Sequence, residues 1–447
     1  MRDKAAAEEI FGQVQAAARS LGVTEIEAII ASGDQALTRF ANNAISQNVA
    51  EQTSYLSIRP VIDGRTARAS TNRLDGGSIR SVVEEAVALT RLSEPDAELL
   101  PLAEPQNYPE VHRRFEATAK VTPEERAFAV AEAIAAVEDA RQTAAGIYST
   151  GESRFALLNS HGVSAWYTES LARFSITAMA GDSSGWAKGS ACYHGDLDPV
   201  ALAHSAARKA VQSSDPRELE PGRYTVILEP AAVLDLVGQM FGDFSSTAIH
   251  DGRSFLNDRV GQKIFGDNIT IWDDVAHPLQ SGAPFDGEGV PRKELTLVEH
   301  GVVRDIAYCR QAAARSGVAP TGHGYPLPNE YGEAPANVVI AGGNTSLDEM
   351  IAGADRAILV TRLWYIREVD PYEKIFTGMT RDGTFLVEGG RISAGIRNFR
   401  FNQSLIEMLR NVEALSSPVR ASGEESFDLV APSMKVGNFN FTEVTRF

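Results

Sequence analysis

The pattern of hydrophobic and polar residues divides the chain into two regions of different character. In the first region, apolar residues recur at helical spacing in four segments, with short alternating segments between them. The helical segments span residues 5–21, 78–92, 123–141 and 199–213. Beyond Phe255, strand-like segments separated by Gly, Asn and Asp turns predominate. We therefore predict an α+β fold, with an N-terminal mixed α/β domain over 1–221 and a β-rich C-terminal domain over 222–447.

Local signals refine this prediction. The first domain is expected to contain antiparallel strands with flanking helices, and the second to form a sandwich or barrel-like body. Thr122-Pro123-Glu124-Glu125 is typical of a helix start, and turns are predicted at Gly33-Asp34 and Asp63-Gly64. The proline-containing segment 93–111 is predicted to be a linker or a surface loop. Further helices are predicted over Ala231–Phe241, Thr345–Ala354 and Phe401–Asn411.

The order helix, strands, helix occurs twice before the Pro-Gly turn at Pro221. This order is consistent with an internal duplication, in which residues 1–93 and 112–214 would be the two copies. Because the two segments share no residue-level identity, the duplication is only one interpretation of the pattern.

Composition and charge narrow the function classes. The net charge of −17, without a run of Lys or Arg, disfavours a nucleic-acid partner. Two cysteines, Cys192 and Cys309, are too few for a disulfide scaffold or a Cys-rich zinc module. The charged N-terminal helix does not resemble a signal peptide, and no segment is long and apolar enough to cross a bilayer. We therefore expect a cytoplasmic protein without a membrane partner.

Catalytic and metal-binding motifs are weak. The two histidines closest in sequence are His194 and His204, and no histidine is followed by Glu, so a zincin helix is not predicted. Ligands from distant positions remain an alternative. Gly181–Gly185 matches the G-x-S-x-G pattern, but its flanks resemble strands and predict a hairpin loop. The segment ending at His250 faintly resembles the His segment of trypsin-like proteases, without supporting surroundings.

The segment 284–290 places Asp286 and Glu288 among turn-forming residues. They are interpreted either as an acid/base pair or cation site, or as caps of a tight turn, and the turn is favoured.

The Gly- and Pro-rich segment 320–329 is typical of a loop that lines a binding groove. His323, Tyr325 and Asn329 are therefore candidate groove residues, together with Asp286 and Glu288. The alternative for His323 is a plain surface histidine.

Many segments together resemble the PmbA/TldD metallopeptidase family, over nearly the whole chain. In the C-terminal half they are VGQKIFGDNITIWDD, APFDGEGV, LVEHGVV, PTGHG and GTFLVEGGRIS. In the N-terminal half they are VIDGRTARASTNRLD, LLNSHGVSAWYTES, DSSGWAKGS and LEPGRYTVILEPAAV. These are turn and strand motifs, so the specificity of the resemblance lies in their number and order.

The resemblance implies peptidases built from two related subunits. The TldD type carries a His-Glu-x-x-x-His helix and a late Cys that bind zinc, and the PmbA (TldE) type lacks them. The corresponding helix here reads Val237-Gly238-Gln239-Met240-Phe241-Gly242, without His or Glu. The late Cys would fall near Ala421-Ser422-Gly423, where there is none. The resemblance thus implies a PmbA-like chain with no catalytic residue, no metal ligand and no cofactor of its own.

Three functional hypotheses follow. The first is a non-catalytic subunit of a cytoplasmic heteromeric metallopeptidase, which forms part of the peptide-binding groove. It would pair with a zinc-bearing TldD-type homologue, with itself, or with both. The second is a stand-alone hydrolase that uses Ser183, His250 or His323. The third is a protein that binds peptides without cleaving them.

Overall fold

The computed structural model describes residues 1–445. In the N-terminal region, helices pack on one antiparallel sheet. The helices are α1 (Lys4–Ser20), α2 (Gly76–Leu92), α3 (Glu116–Ala119), α4 (Pro123–Asp139) and α5 (Pro199–Gln212). The strands are β1 (Glu25–Ala41), β2 (Ala44–Ile62), β3 (Arg65–Thr66), β4 (Ala69–Thr71), β5 (Thr143–Asn159), β6 (Ser164–Ala180) and β7 (Ser183–Ala191). A short 3₁₀ helix spans His194–Asp196.

The order of strands in this sheet is β3-β2-β1-β5-β6-β7, and β4 also pairs with β2. The central pair, β1 and β5, runs antiparallel from Glu27 opposite Asn159 to Phe40 opposite Gly146. Helices α1 and α2 bury their apolar faces with β1 and β2 in one cluster, and α4 and α5 do so with β5, β6 and β7 in another. The predicted mixed α/β architecture is confirmed, whereas nothing in this arrangement decides whether a duplication produced it.

The C-terminal region contains short helices and many strands. The helices are α6 (Pro230–Val237), α7 (Ser246–His250), α8 (Arg310–Ser316), α9 (Leu347–Ala352) and α10 (Leu405–Arg410), with a 3₁₀ helix at Gly238–Asp243. The first strands are β8 (Gly222–Leu228), β9 (Ile271–Asp273), β10 (Leu295–Glu299), β11 (Val302–Val303), β12 (Val338–Ile340), β13 (Arg356–Asp370) and β14 (Ile375–Glu388). The last are β15 (Arg391–Gly395), β16 (Phe399–Ser404), β17 (Val412–Leu415), β18 (Val419–Ala421), β19 (Leu429–Ala431) and β20 (Met434–Val444).

These strands form two sheets. One has the order β11-β10-β9-β12-β19-β18. In the other, β13, β8, β20, β16 and β14 pair in turn, and β14 pairs back with β13, which closes the circuit as in a barrel. Aromatic side chains fill part of the core, for example Phe399 stacked on Phe441 with ring centroids 4.7 Å apart. The predicted β-rich, barrel-like character of this region is confirmed.

Several local predictions were correct. Thr122 and Glu125 form the reciprocal capping box of α4, with Pro123 at its first position. Asp63-Gly64 forms a turn between β2 and β3, and both residues have positive φ, 49° and 71°.

The predicted turn at Gly33-Asp34 is wrong. Gly33 lies inside β1, where it pairs with Thr53 on one side and Ser153 on the other, so strand pairing outweighs the local turn preference. The chain reverses instead at Asn42-Asn43, with φ of 52° and 59°, a conformation that asparagine tolerates.

Two helix predictions need correction. The segment Ala231–Phe241 is α-helical only to Val237 and continues as a 3₁₀ helix. The segment Phe401–Asn411 begins as strand β16, because Phe401 pairs with Gly378 and Phe441 in the barrel. Ser404 then caps the shorter helix α10 through the backbone N–H of Glu407.

The segment 93–111 contains neither helix nor strand, and part of it is buried rather than surface-lying. Leu102 and Ala103 are almost fully buried, and Ala103 belongs to an apolar cluster that includes Phe285 of the C-terminal region. The Tyr108 hydroxyl donates a 3.0 Å hydrogen bond to the carbonyl of Gly289. This segment therefore helps to hold the two regions together.

Candidate functional site

The two segments to which the resemblance assigns the zinc ligands of TldD proteins lie close together. The side-chain amide of Gln239, in the 3₁₀ helix, donates to the carbonyl of Asp235 (3.1 Å) and to that of Glu425 (3.0 Å). Gly238 packs so closely that an added Cβ would lie 2.1 Å from the Ser426 hydroxyl oxygen. The end of α6 and the segment after β18 thus form one packed unit.

Asp235 is the centre of this unit. It is fully buried, and its Oδ1 accepts hydrogen bonds from the backbone N–H groups of Glu424 (2.9 Å) and Glu425 (3.0 Å). Its Oδ2 has no hydrogen-bond partner in the described part of the chain. Burial raises the pKa of Asp235 to about 6, and the two backbone hydrogen bonds only partly offset this rise.

These residues do not fit a zinc site. Zinc in proteins takes His nitrogen, Cys sulfur and carboxylate oxygen as ligands, usually four in tetrahedral geometry. Here Val237, Met240 and Phe241 are buried apolar side chains, and the Gln239 amide is bound to carbonyl groups. Across residues 1–445, no group of three or more His, Cys, Asp or Glu side chains is placed to hold a metal ion.

Asp286 organises the tight turn that precedes Val290. Its Oδ1 accepts from the backbone N–H groups of Glu288 and Val290, both at 2.9 Å, and its Oδ2 accepts from that of Gly324 at 2.7 Å. The turn interpretation of this carboxylate is confirmed. The same contacts join the 284–290 turn to the 320–329 loop, which sequence spacing did not predict.

Glu288 lies beside Asp286 in a different environment. It is 3% exposed, its Oε2 accepts from the backbone N–H of Arg310 at 2.7 Å, and its Oε1 has no hydrogen-bond partner within residues 1–445. Burial, together with the charge of Asp286, raises the pKa of Glu288 to about 8. At neutral pH this carboxyl is therefore mainly protonated, which suits it to donate a hydrogen bond rather than to bind a cation.

A buried ionic cluster from the N-terminal sheet lies next to this turn. Arg59 on β2 makes a bidentate contact with Glu27 on β1, with N···O distances of 3.1 and 2.9 Å, and Arg68 adds a third at 2.5 Å. Arg68 also donates to the carbonyl of Leu327 in the Gly- and Pro-rich loop. The cluster connects the sheet to the loops of the C-terminal region, and Arg59 is close enough to Glu288 to lower its pKa somewhat.

His323 occupies neither a groove nor the surface. It is 2% exposed, with Nε2 3.1 Å from Asp273 Oδ1 and Nδ1 3.0 Å from Thr321 Oγ1. The contact with Asp273 has ion-pair distance but not the orientation of a regular hydrogen bond. Burial raises the pKa of Asp273, but the contact with His323 outweighs it and the pKa is lowered. The order Asp, His, Thr resembles a hydrolytic triad, but the side chains of Asp273 and His323 are both inaccessible.

Tyr325 and Asn329 occupy more open positions. Tyr325 is 42% exposed and lines two clefts, of about 340 and 300 Å³, the first of which also contacts Asp286. Asn329 orders the loop, since its Nδ2 donates to the carbonyl of Tyr325 and its Oδ1 accepts from the backbone N–H of Gly332. Asn329 and Glu288 line a smaller cavity of about 90 Å³. The groove-lining role stays a prediction for these residues.

Glu333 is a buried residue that sequence reasoning missed. Its carboxylate accepts from the Ser245 hydroxyl, from the hydroxyl and backbone N–H of Thr247, and from the backbone N–H of Cys309. It thereby fixes the starts of α7 and α8 relative to each other. Burial and the neighbouring Glu333 raise the pKa of the Cys309 thiol to about 12, so this cysteine is not a reactive nucleophile.

Ser183 and His250 do not meet in a catalytic arrangement. Ser183 lies within the predicted loop but already begins β7, and its hydroxyl donates to the carbonyl of Ala180 at 2.8 Å. The predicted hairpin is confirmed, but its loop is only Gly181-Asp182, because residues 183–185 already pair with β6. His250 is exposed at the end of α7. Within residues 1–445, Ser183 has no hydrogen bond to a histidine.

A further cleft, with a volume of about 530 Å³, lies between β7 and the segments around Leu279 and Arg420. Aromatic residues Phe115 and Tyr193 line it together with Cys192. Sequence reasoning did not single out this cleft, because its residues come from segments far apart in the chain.

Three segments of the chain match the domains of one known family. Residues 26–90 match PmbA/TldA metallopeptidase domain 1, residues 117–214 match the central domain of that family, and residues 221–443 match its C-terminal domain. The chain belongs to the PmbA/TldD metallopeptidase family. The family member from Haemophilus influenzae named a metalloprotease PmbA homolog is 23% identical, over 91% of this chain and 92% of its own. A metalloprotease from Methanothermobacter thermautotrophicus is 26% identical over 64% of this chain and 66% of its own length.

Solved structures show the same fold. TldE from Thermococcus kodakarensis has a TM-score of 0.86 at 21% identity, covering 96% of this chain and 99% of its own. A Thermotoga maritima protein described as a suggested modulator of a DNA gyrase has a TM-score of 0.86 at 22% identity, covering 97% of this chain and all of its own. None of the helices described here combines the length and apolarity needed to cross a membrane.

Proposed function

We propose that this protein is the non-catalytic, zinc-free subunit of a heteromeric PmbA/TldD-type metallopeptidase that degrades or processes peptides. The observation that carries the proposal is the packed unit around Asp235. At the expected ligand positions, α6 and the 3₁₀ helix after it present the Asp235 carboxylate and the Gln239 amide, and both are bound to the backbone of residues 424–425. This region is closed by the chain's own groups, so zinc is assigned to a TldD-type partner. A solved TldE shares the fold of this chain, and the resemblance implies that the TldE type lacks the zinc motif.

The contribution of this chain is part of a peptide-binding groove. The clefts beside Tyr325 are bordered by Phe155 and Glu169 of the N-terminal sheet and by Arg253 and Tyr331 of the C-terminal region. Exposed aromatic rings beside buried polar groups are suited to holding a peptide side chain while the backbone is held by loops or strand edges. A cytoplasmic location is part of the proposal.

The test combines this chain with a zinc-bearing TldD-type homologue from the same genome. Each protein is purified alone and mixed, and metal content, mass by light scattering and peptide cleavage are measured. We expect no stoichiometric zinc and no cleavage with this chain alone, and cleavage by the mixture that exceeds that of the homologue. One tightly bound zinc per chain, or unaided cleavage, would contradict the proposal. Binding of peptides by this chain alone, with no effect on the homologue, would favour the peptide-binding alternative.

A variant pair tests the groove. Tyr325→Ala should raise the KM of the mixture for peptides, whereas Tyr372→Ala should not, because Tyr372 is similarly exposed (56%) but lies outside these clefts. An equal change in KM for the two variants would show that the clefts beside Tyr325 do not bind the peptide.

A further inference from the structure

The cleft of about 530 Å³ beside β7 has the size and the lining of a site for a small molecule. Such sites usually measure about 300–1,000 Å³ and combine apolar walls with a few polar groups. Among residues 1–445, none that lines this cleft also lines the clefts beside Tyr325, so a ligand here is independent of the proposed function. The apolar side chains come from both regions of the chain and include Phe115, Tyr193, Leu197, Leu279 and Val419.

Two arginine side chains hold the walls of this cleft in place. Arg420 donates to the carbonyl of Leu279 at 2.9 Å and pairs with Asp428 at 3.0 Å. Arg113 donates to the carbonyl of His277 at 2.9 Å. Both guanidinium groups are thus directed at oxygens of the chain itself, which leaves few donors for an anionic ligand.

The charges at the inner end of the cleft are balanced. The thiol of Cys192 lies there, and its pKa is raised chiefly by burial. The positive charges of Arg420 and Arg113 lower this pKa, whereas the negative charges of Glu169 and Asp428 raise it. The two cations are therefore matched by two carboxylates, and the remaining carboxylates of the lining decide which sign of charge the cleft prefers.

Those remaining carboxylates lie beside an aromatic ring. The backbone N–H of Asp196 donates to the carbonyl of Tyr193 at 3.0 Å, and in a 3₁₀ turn side chains three residues apart lie on the same side. The Tyr193 ring lies so close to Gly195 that an added Cβ there would be 2.5 Å from it. The ring of Phe115 packs on the other part of the wall, with its centroid 5.4 Å from that of Tyr193. Exposed carboxylates of Asp196 and Asp198 complete this side of the cleft.

We infer that this cleft binds a small aromatic amine, with its ring against Tyr193 and Phe115 and its ammonium group beside Asp196. The exposed ring faces suit a flat apolar body, because aromatic rings pack favourably in offset or tilted arrangements. The Asp196 carboxylate suits the ammonium group better than that of Asp198, whose Oδ1 already accepts from the backbone N–H of Ala201. An aromatic carboxylate would face like charges here, and an aliphatic amine would leave the apolar walls in contact with water.

Phenethylamine is the probe, because it combines one ring with one ammonium group. Isothermal titration calorimetry of the full-length chain at neutral pH should show one saturable site. Phenethyl alcohol lacks the charge, butylamine lacks the ring and hydrocinnamate reverses the charge, so each should bind about fivefold more weakly or worse. High salt should weaken the binding of phenethylamine more than that of phenethyl alcohol, since only the former depends on a charge.

Substitutions in the cleft separate the two contacts. Tyr193→Ala should weaken phenethylamine binding about tenfold, because it removes the ring contact, whereas Tyr193→Phe should retain binding. Asp196→Asn should weaken it up to about fivefold and leave the affinity for phenethyl alcohol unchanged, which a general loss of structure would not do. Tyr372→Ala and Glu132→Gln are the matched controls, because both residues are exposed but lie outside the cleft, and both variants should bind like the wild type.

Cys192 provides a second measurement that needs no substitution. Its half-buried thiol lines the cleft, whereas Cys309 is buried elsewhere. Phenethylamine should slow the modification of Cys192 by methyl methanethiosulfonate, followed by mass spectrometry, with the same half-saturation as in calorimetry. Absence of saturable binding, equal affinity for phenethylamine and hydrocinnamate, or unchanged affinity in both Tyr193→Ala and Asp196→Asn would each overturn the inference.

Discussion

Glu27 and Glu288 are two buried carboxyl groups on opposite sides of the same contact between the N-terminal sheet and the C-terminal loops. Burial alone would raise the pKa of both. For Glu27, contacts with Arg59 and Arg68 outweigh burial and the pKa is lowered. Among residues 1–445, Glu288 has one backbone donor and no guanidinium within hydrogen-bond distance, and burial raises its pKa to about 8. In the same surroundings, a directly bound cation decides whether a carboxyl is charged or neutral.

The different charge states of Glu27 and Glu288 have a structural consequence. The charged cluster around Glu27 anchors the loop through Arg68 and the carbonyl of Leu327, close to Tyr325. The neutral Glu288 packs under the same loop, so close to Gly324 that an added Cβ there would lie 2.4 Å from its Oε2. The contact thus contains one group that stabilises it when ionised and one that stabilises it when protonated.

The largest effect is expected from Glu27→Ala. This substitution leaves Arg59 buried without its partner, and removing one member of a buried ion pair typically costs about 3–5 kcal/mol. Urea unfolding should show a loss of stability of this order. Glu299→Ala, which breaks the exposed contact with Arg304, should cost no more than about 1 kcal/mol. Similar losses for the two variants would show that the buried ion pair contributes no more to stability than the exposed one.

Glu288→Gln tests whether the buried Glu288 carboxyl is neutral in the folded protein. Because the pKa of Glu288 rises from its ordinary 4.5 to about 8 on folding, the stability it contributes is complete below about pH 4.5 and is lost as the pH rises towards 8. The glutamine variant should therefore be more stable than the wild type by about 2–3 kcal/mol at pH 7. The difference should shrink as the pH falls to 4.5. A constant difference across this range would show that Glu288 is ionised in the folded protein.

Asp235 provides an intermediate case, with backbone donors but no directly bound cation. Asp235→Ala leaves the N–H groups of Glu424 and Glu425 without their acceptor and should cost about 1–3 kcal/mol. Asp235→Asn retains that acceptor and should cost clearly less. Thermal unfolding of the two variants distinguishes them, and an equal loss would mean that these hydrogen bonds do not hold the segment.

The smallest effect is expected from Ser183→Ala. The substitution removes one hydrogen bond to the Ala180 carbonyl, which should change stability by about 1 kcal/mol or less. Peptide cleavage by the complex should stay nearly unchanged, and a fluorophosphonate should not label the wild-type chain. Stable labelling at Ser183 would restore the stand-alone hydrolase hypothesis.

The fold was predictable where local chemistry and global packing agree. The capping box at Thr122 and the turn at Asp63-Gly64 are determined by side chains a few residues apart, and both were predicted correctly. Gly33 and Phe401 were assigned wrongly because their strands are stabilised by partners distant in sequence. No local pattern contains that information.

The candidate site was predictable only in part. Its residues 284–290 and 320–329 were identified from their turn composition, but His323 proved to be buried against Asp273. Glu27 and Arg59 were overlooked, although each interrupts an apolar strand segment with a charge. Such an interruption indicates a buried ion pair, but only the pairing of β1 with β2 identifies the partner.

The sequence by itself determined the fold class, the membership of the family and the absence of His, Glu and Cys at the positions to which the resemblance assigns the zinc motif. These properties depend on residue type and order, which a sequence states directly. Tertiary structure decided which carboxyl is charged, which loop is anchored and which distant segments line a cleft. Those properties depend on burial and on contacts between distant segments, such as Arg68 with Leu327, because the energy of a charge or a free backbone group is determined by what surrounds it.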